Sequence, residues 1–156
     1  MDIHPVLLCP PFVLNEEQRT VVAHKQGPLL VVAGPGSGKT RSLLLLAMNL
    51  LLCEDAQPSE LVLCTYTERA AYEMQDRLLQ IATDAHYTGD LSKLRIGTIH
   101  GICKQIITEY IHYAPVQSDF KTLDEFEQRL FIYMHLSTLC HAPGCLPFFQ
   151  WRWSSH

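Results

Sequence analysis

The 156-residue chain has no apolar run long enough to cross a bilayer as a helix. Its longest, Leu43 to Cys53, is 11 residues and is interrupted by Asn49, whereas a helical span requires ~20. No basic run opens the chain; Asp2 stands there instead, and Pro10-Pro11 breaks the first segment. A secretory signal is therefore not expected, and the sequence reads as cytoplasmic, or nuclear in a eukaryote. The six cysteines (Cys9, Cys53, Cys64, Cys103, Cys140, Cys145) include no C-x-x-C pair, a pattern that in a reducing compartment predicts buried apolar thiols and not disulfides. Positive charge is also scarce: 12 Lys+Arg against 16 Asp+Glu give a net charge of −4. That excludes a global electrostatic pull toward nucleic acid, so any such contact requires a local patch or stacking. With 47% hydrophobic and 18% charged residues, the composition lies far from that of a disordered chain and suits one compact domain with a real core.

What is present alternates between strand-like and helix-like periods, without repeats or low-complexity segments. Gly27-Pro28 introduces the apolar run Leu29 to Ala33, then a Gly-rich turn, then the long apolar segment Thr40 to Leu52, which predicts strand, loop and helix. That helix is apolar almost all round, so it is either sandwiched in the core or covered by another domain or protein. Leu61 to Thr67 predicts a second strand, and Ala71, Met74, Leu78, Ile81 and Ala85 mark the face of an amphipathic helix ending near Gly89. Leu94, Ile96 and Ile99 suggest a third strand, and Ile102, Ile106, Tyr110 and Ile111 a third helix stopped by Pro115. The expected class is α/β, with parallel strands joined by right-handed helical crossovers. Beyond Pro115 the texture changes: Thr122 and Glu125 form a capping-box pattern before a helix with Phe126, Leu130, Met134 and Ser137 on one face. The tail carries Phe148, Phe149, Trp151 and Trp153 without any period, as an interface without its partner would.

The strongest chemical signal is AGPGSGKT, comprising Ala33, Gly34, Pro35, Gly36, Ser37, Gly38, Lys39 and Thr40. It matches the phosphate-binding loop with Ala in the first glycine position. Such a loop lets successive backbone N–H groups curl around phosphates, and the following helix adds its dipole. In this pattern Lys39 places its ammonium on the β- and γ-phosphates and Thr40 offers a hydroxyl to Mg²⁺.

LNEEQ (Leu14 to Gln18), AGPGSGKTR, TYTERAAYEMQDR (Thr65 to Arg77) and GTIHGIC (Gly97 to Cys103) follow one another in the order and approximate spacing of the N-terminal motor domain of UvrD/Rep-like superfamily-one DNA helicases. The chain resembles that family well over residues 13–113. The resemblance implies a RecA-like ATP-binding motor domain at 13–115, preceded by an extension at 1–12. Residues 116–156 would be the start of a helical insertion plus the tail. It further implies ATP and Mg²⁺ as cofactors, single-stranded DNA as partner and 3′ to 5′ translocation. Gln18 matches the family glutamine that reads the adenine edge, and Arg41 the position whose guanidinium packs on the adenine. Thr65, Tyr66, Thr67, Thr98 and His100 match positions used for DNA contact. Where the family often has Phe, Asn and Lys, this chain has Tyr66, Glu68 and Arg69, and Glu68 adds a negative charge near the expected DNA path.

Two further patterns resemble sites without being read as such. Asp124-Glu125 lacks the preceding buried strand of an acidic Mg²⁺-binding motif and reads as a helix start. His135, Cys140, His141 and Cys145 do not have a zinc spacing. No strand ending in Asp-Glu, water-positioning Gln, γ-phosphate arginine or second motor domain is apparent. The sequence therefore reads as the N-terminal piece of an ATP-dependent DNA helicase, with the remaining domains as partners. Such a piece would bind nucleotide better than it hydrolyses it, because much of the charge stabilisation in phosphoryl transfer comes from those parts. A small P-loop kinase and a non-catalytic P-loop interaction module are the alternatives.

Overall fold

The computed structural model describes residues 3–113 and 120–140. In chain order the elements are α1 (Glu16–Val22), α2 (Lys39–Leu52), β1 (Val62–Thr65), α3 (Glu68–Asp84), β2 (Arg95–Thr98), α4 (Ile99–Glu109) and α5 (Glu125–Cys140), with short 3-10 turns between them. The described residues fall into two units, one running to Tyr110 and the other starting at Ile111.

In the first unit β1 and β2 form a parallel pair in the register Val62↔Arg95 to Thr65↔Thr98. Parallel strands cannot be joined by a tight turn, and α3 is the crossover that the connection demands. Its apolar face, with Ala71, Met74, Leu78, Ile81 and Ala82 buried, packs on both strands and on α2. Short polar residues cap α1, α3 and α4. The Asn15 side chain accepts from Gln18 N while Gln18 Oε1 accepts from Asn15 N, closing a capping box on α1. Thr67 accepts from Ala70 N at α3, and Thr98 from Gly101 N at α4, each satisfying a donor that the first helical turn leaves unpaired.

The all-round apolar α2 finds much of its cover within the chain itself. It packs against α1 and α3, with Leu44, Leu45 and Met48 fully buried and Leu43 left 38% exposed. The one polar residue that interrupts its run, Asn49, is fully buried too.

Several sequence expectations are corrected. Leu29 to Ala33 is not a strand: β1 and β2 pair with each other, and among the described residues nothing forms a ladder with 29–33. A continuous apolar run marks backbone suited to burial, but a strand exists only through its hydrogen-bonded neighbours. Leu30 and Val32 are accordingly 87% and 86% exposed. Ile99 belongs to α4 and not to the strand, because the Thr98 cap ends β2 one residue earlier. Cys9, Cys64 and Cys103 are exposed and Cys53 is half-buried, so these four thiols do not fill the core as expected.

In the second unit the cap of α5 sits two residues later than the Thr122-Glu125 pattern suggested. Asp124 Oδ1 accepts from Glu127 N at 2.7 Å, and Asp124 N donates to Glu127 Oε2 at 3.0 Å. Asp124 thus starts a helix, as its context implied. Lys121 donates to Glu127 at 2.8 Å; this bond, with that from Asp124 N, holds the Glu127 carboxyl below its usual range. Phe126, Leu130 and Met134 are exposed on α5. The aromatic tail, His141 and Cys145 lie outside the described residues.

Candidate functional site

Residues 33–40 form a compact turn running into α2. Gly36 and Gly38 have φ of +77° and +83°, the left-handed region that favours glycine. The turn is tied internally: Ser37 Oγ donates to Gly34 O at 2.8 Å. Open space lies beside Gly34 and Gly36, where an added Cβ would meet nothing within 4 Å. The Lys39 ammonium folds back across the turn, donating to Ala33 O at 2.8 Å and Gly34 O at 2.6 Å. Those carbonyls are placeholders that an anionic ligand can replace, since a phosphate oxygen is a stronger partner for an ammonium than a neutral carbonyl. Thr40, half-buried, follows in the first turn of α2.

Gln18 reaches the loop from α1. Its Nε2 donates to Ser37 O at 3.2 Å while its Oε1 closes the α1 capping box. A Cβ at Gly38 would stand 3.1 Å from that Nε2, so Gly38 is constrained by both its φ and its neighbour. Arg41 donates to Val13 O at 3.4 Å and Pro11 O at 3.3 Å. These contacts use the guanidinium's N–H edge, and stacking uses its face, so the two are chemically compatible.

Gly36, Gly38, Lys39, Thr40, Arg41 and Arg77 line a cleft of about 300 Å³, within the range of small-ligand sites. Arg77 was not assigned to the site from sequence. Its signal was available, an exposed cation beside Leu78 at the border of the apolar face of α3, but periodicity alone does not say which loop that border meets. Glycine backbone, a lysine, a hydroxyl and two arginines form a donor set that fits a nucleotide polyphosphate with a hard divalent cation, which would take Thr40 and phosphate oxygens as ligands.

The second group assembles where the strands end. The Thr65↔Thr98 register brings the two motifs together at the carboxyl edge of the sheet, where ligands of parallel sheets gather. Tyr66 follows β1 and is 96% exposed, so it is not the half-buried strand residue that a purely structural role would make it. His100 is exposed in the first turn of α4. Thr65 is half-buried, and Thr67 and Thr98 act as helix caps, a role the sequence reading did not assign them. Thr98 also donates its hydroxyl hydrogen to Glu68 Oε1 at 2.8 Å.

Residues 14–142 match the family described as the UvrD/REP helicase N-terminal domain. The chain is 36% identical over 116 residues to the ATP-dependent DNA helicase SRS2 of Saccharomyces cerevisiae, covering 73% of this chain and 10% of that protein. DNA helicase II of Escherichia coli is 34% identical over 115 residues, covering 74% of this chain and 15% of the relative. The ATP-dependent DNA helicase PcrA of Staphylococcus aureus is 31% identical over 116 residues, again covering 74% and 15%. The chain thus spans a small fraction of the length of these curated relatives.

Proposed function

Because the chain belongs to the UvrD/REP helicase N-terminal domain family, we propose that it supplies the ATP-binding part of a RecA-like motor in a DNA helicase that moves 3′ to 5′ along single-stranded DNA. The observation that carries this reading is the 33–40 turn, with two left-handed glycines and a lysine folded onto its own carbonyls. MgATP binds there with Lys39 on the β- and γ-phosphates, the loop N–H groups around them and Thr40 on Mg²⁺. Arg41 packs on the base. Arg77 lines the same cleft and adds positive charge to it. Strand separation and ATP turnover belong to the whole protein, in which the family's further domains complete the transition-state charge stabilisation. Calorimetric titration with MgATP and MgADP tests the reading: saturable binding supports it, and no binding at millimolar nucleotide overturns it.

Gln18 is proposed to read the adenine edge, an amide being able to donate and accept at once. Both of its polar atoms already serve the protein, so Gln18→Ala carries a loss common to all nucleotides through the loop. It also carries an ATP-specific loss of about 0.5–1.5 kcal/mol, the net worth of one hydrogen bond. Parallel titrations with ATP and GTP separate the two. Equal losses would assign Gln18 to the loop alone.

The edge carrying Thr65, Tyr66, Thr67, Thr98 and His100 is proposed to contact single-stranded DNA by stacking and a few phosphate contacts. Tyr66→Ala is expected to weaken binding by on the order of 1–3 kcal/mol, largely regardless of base. Its melting temperature should stay unchanged, since the 96% exposed ring packs against little. Fluorescence anisotropy beside thermal melting checks this; lowered melting with unaltered affinity would make Tyr66 a packing residue.

A further inference from the structure

We infer that Glu68 is a built-in competitor for the DNA backbone, lowering the affinity of the β-sheet edge for single-stranded DNA by occupying the Thr98 hydroxyl and holding a negative charge beside it. This rests on the DNA-contact reading of that edge. Glu68 is the first residue of α3 and Thr98 the last of β2. They are 30 positions apart, and the Thr65↔Thr98 register brings them into contact.

A threonine hydroxyl has a single hydrogen to donate. In Thr98 that hydrogen goes to Glu68 Oε1 at 2.8 Å, while its oxygen accepts from Gly101 N at 3.1 Å. Nothing is left with which to donate to a phosphate oxygen. The carboxylate oxygen also lies over the start of α4: a Cβ built on Gly101 would stand 3.0 Å from Thr98 Oγ1 and 3.7 Å from Glu68 Oε1. A phosphate approaching Thr98 or His100 therefore meets an anion already hydrogen-bonded in place. The chain's net charge of −4 supplies no compensating long-range attraction. A neutral residue at position 68 would leave the same edge more receptive, so Glu68 sets how firmly this protein grips the strand.

Two substitutions separate the charge from the hydroxyl. Glu68→Gln removes the charge and keeps an oxygen able to accept from Thr98; Glu68→Ala removes the charge and also frees the hydroxyl. Anisotropy titrations of the 156-residue chain with a labelled oligothymidylate at about 50 mM salt should show roughly 5-fold tighter binding for Glu68→Gln, and tighter still for Glu68→Ala. The gain should shrink at about 200 mM salt, as screening weakens exposed charge interactions. Asp76→Asn, on the exposed side of α3, makes the same change in net charge and should alter affinity much less; an equal gain there would overturn the proposal. Adding Thr98→Val to Glu68→Ala should abolish the extra gain of the alanine variant over the glutamine one.

Unchanged or weaker binding by both Glu68 variants, with Tyr66→Ala and His100→Ala still weakening it, overturns the proposal and leaves the DNA reading standing. If neither Tyr66→Ala nor His100→Ala has any effect, the DNA reading fails and the proposal fails with it. Absence of binding by the parent chain and both Glu68 variants overturns the proposal as well.

Discussion

Lys39→Ala should abolish measurable MgATP and MgADP binding while leaving the melting temperature of the nucleotide-free chain nearly unchanged. The two halves of that result have separate causes. On the ligand side, the ammonium is the chief side-chain counterion for the phosphates, and two charge-assisted hydrogen bonds contribute on the order of 3–5 kcal/mol. Since every 1.4 kcal/mol is a factor of ten, that is more than a 100-fold loss of affinity. On the protein side, the lysine's present partners are Ala33 O and Gly34 O in an exposed loop, where water replaces a lost donor at little cost. Calorimetry should therefore lose its binding isotherm, and the nucleotide-induced rise in melting temperature should vanish with it. Unchanged affinity in the variant would remove the 33–40 turn as the site. Thr40→Ala provides a finer check: it should reduce the advantage of MgATP over metal-free ATP, because it deletes the hydroxyl proposed to hold Mg²⁺.

How much of this was legible in the sequence varied with the kind of signal. The AGPGSGKT turn and the face of α3 were readable because both depend on local rules: a fixed glycine spacing in one case, three- and four-residue apolar steps in the other. Leu29 to Ala33 was misread because strand formation is decided by a neighbour, and the run itself says nothing about where that neighbour is. The same limit applies to Thr67 and Thr98. Their motifs suggested ligand contact, yet both hydroxyls also cap helices, and only the register of β1 against β2 reveals that Thr98 meets Glu68. Arg77 reaches the loop cleft for a comparable reason, since packing α3 against α2 turns its position toward residues nearly 40 places earlier. Charge told least: the value of −4 gave no hint that two arginines share one cleft.

Asn49 is the residue whose importance the sequence concealed most, and its replacement should have the largest effect on stability. It stood out only as a polar interruption in an apolar helix. Fully buried in α2, it donates from Nδ2 to Val22 O at 3.1 Å and accepts at Oδ1 from His4 N at 2.8 Å. One side chain thus ties the end of α1 and the N-terminal segment to the central helix. Asn49→Ala leaves the part-buried His4 N–H and the buried Val22 C=O without these partners and opens a small cavity, a combined loss of about 3–5 kcal/mol. That is a large share of the roughly 5–15 kcal/mol that holds a domain together. Asn49→Asp tests the hydrogen-bond pattern through its pH dependence. A protonated carboxyl can still donate to Val22 O and accept from His4 N, whereas the ionised form places an anion against the Val22 carbonyl with no donor to offer. Burial raises the folded-state pKa of the introduced carboxyl above its unfolded value of ~3.9. Its stabilising contribution is therefore fully present below the unfolded pKa and is lost as the pH rises through the folded one. Urea melts compared with the parent chain at each pH should show a modest deficit near pH 4 and a much larger one near pH 7. No deficit at either pH would mean that volume, which the isosteric aspartate keeps, and not the paired donor and acceptor, is what Asn49 provides.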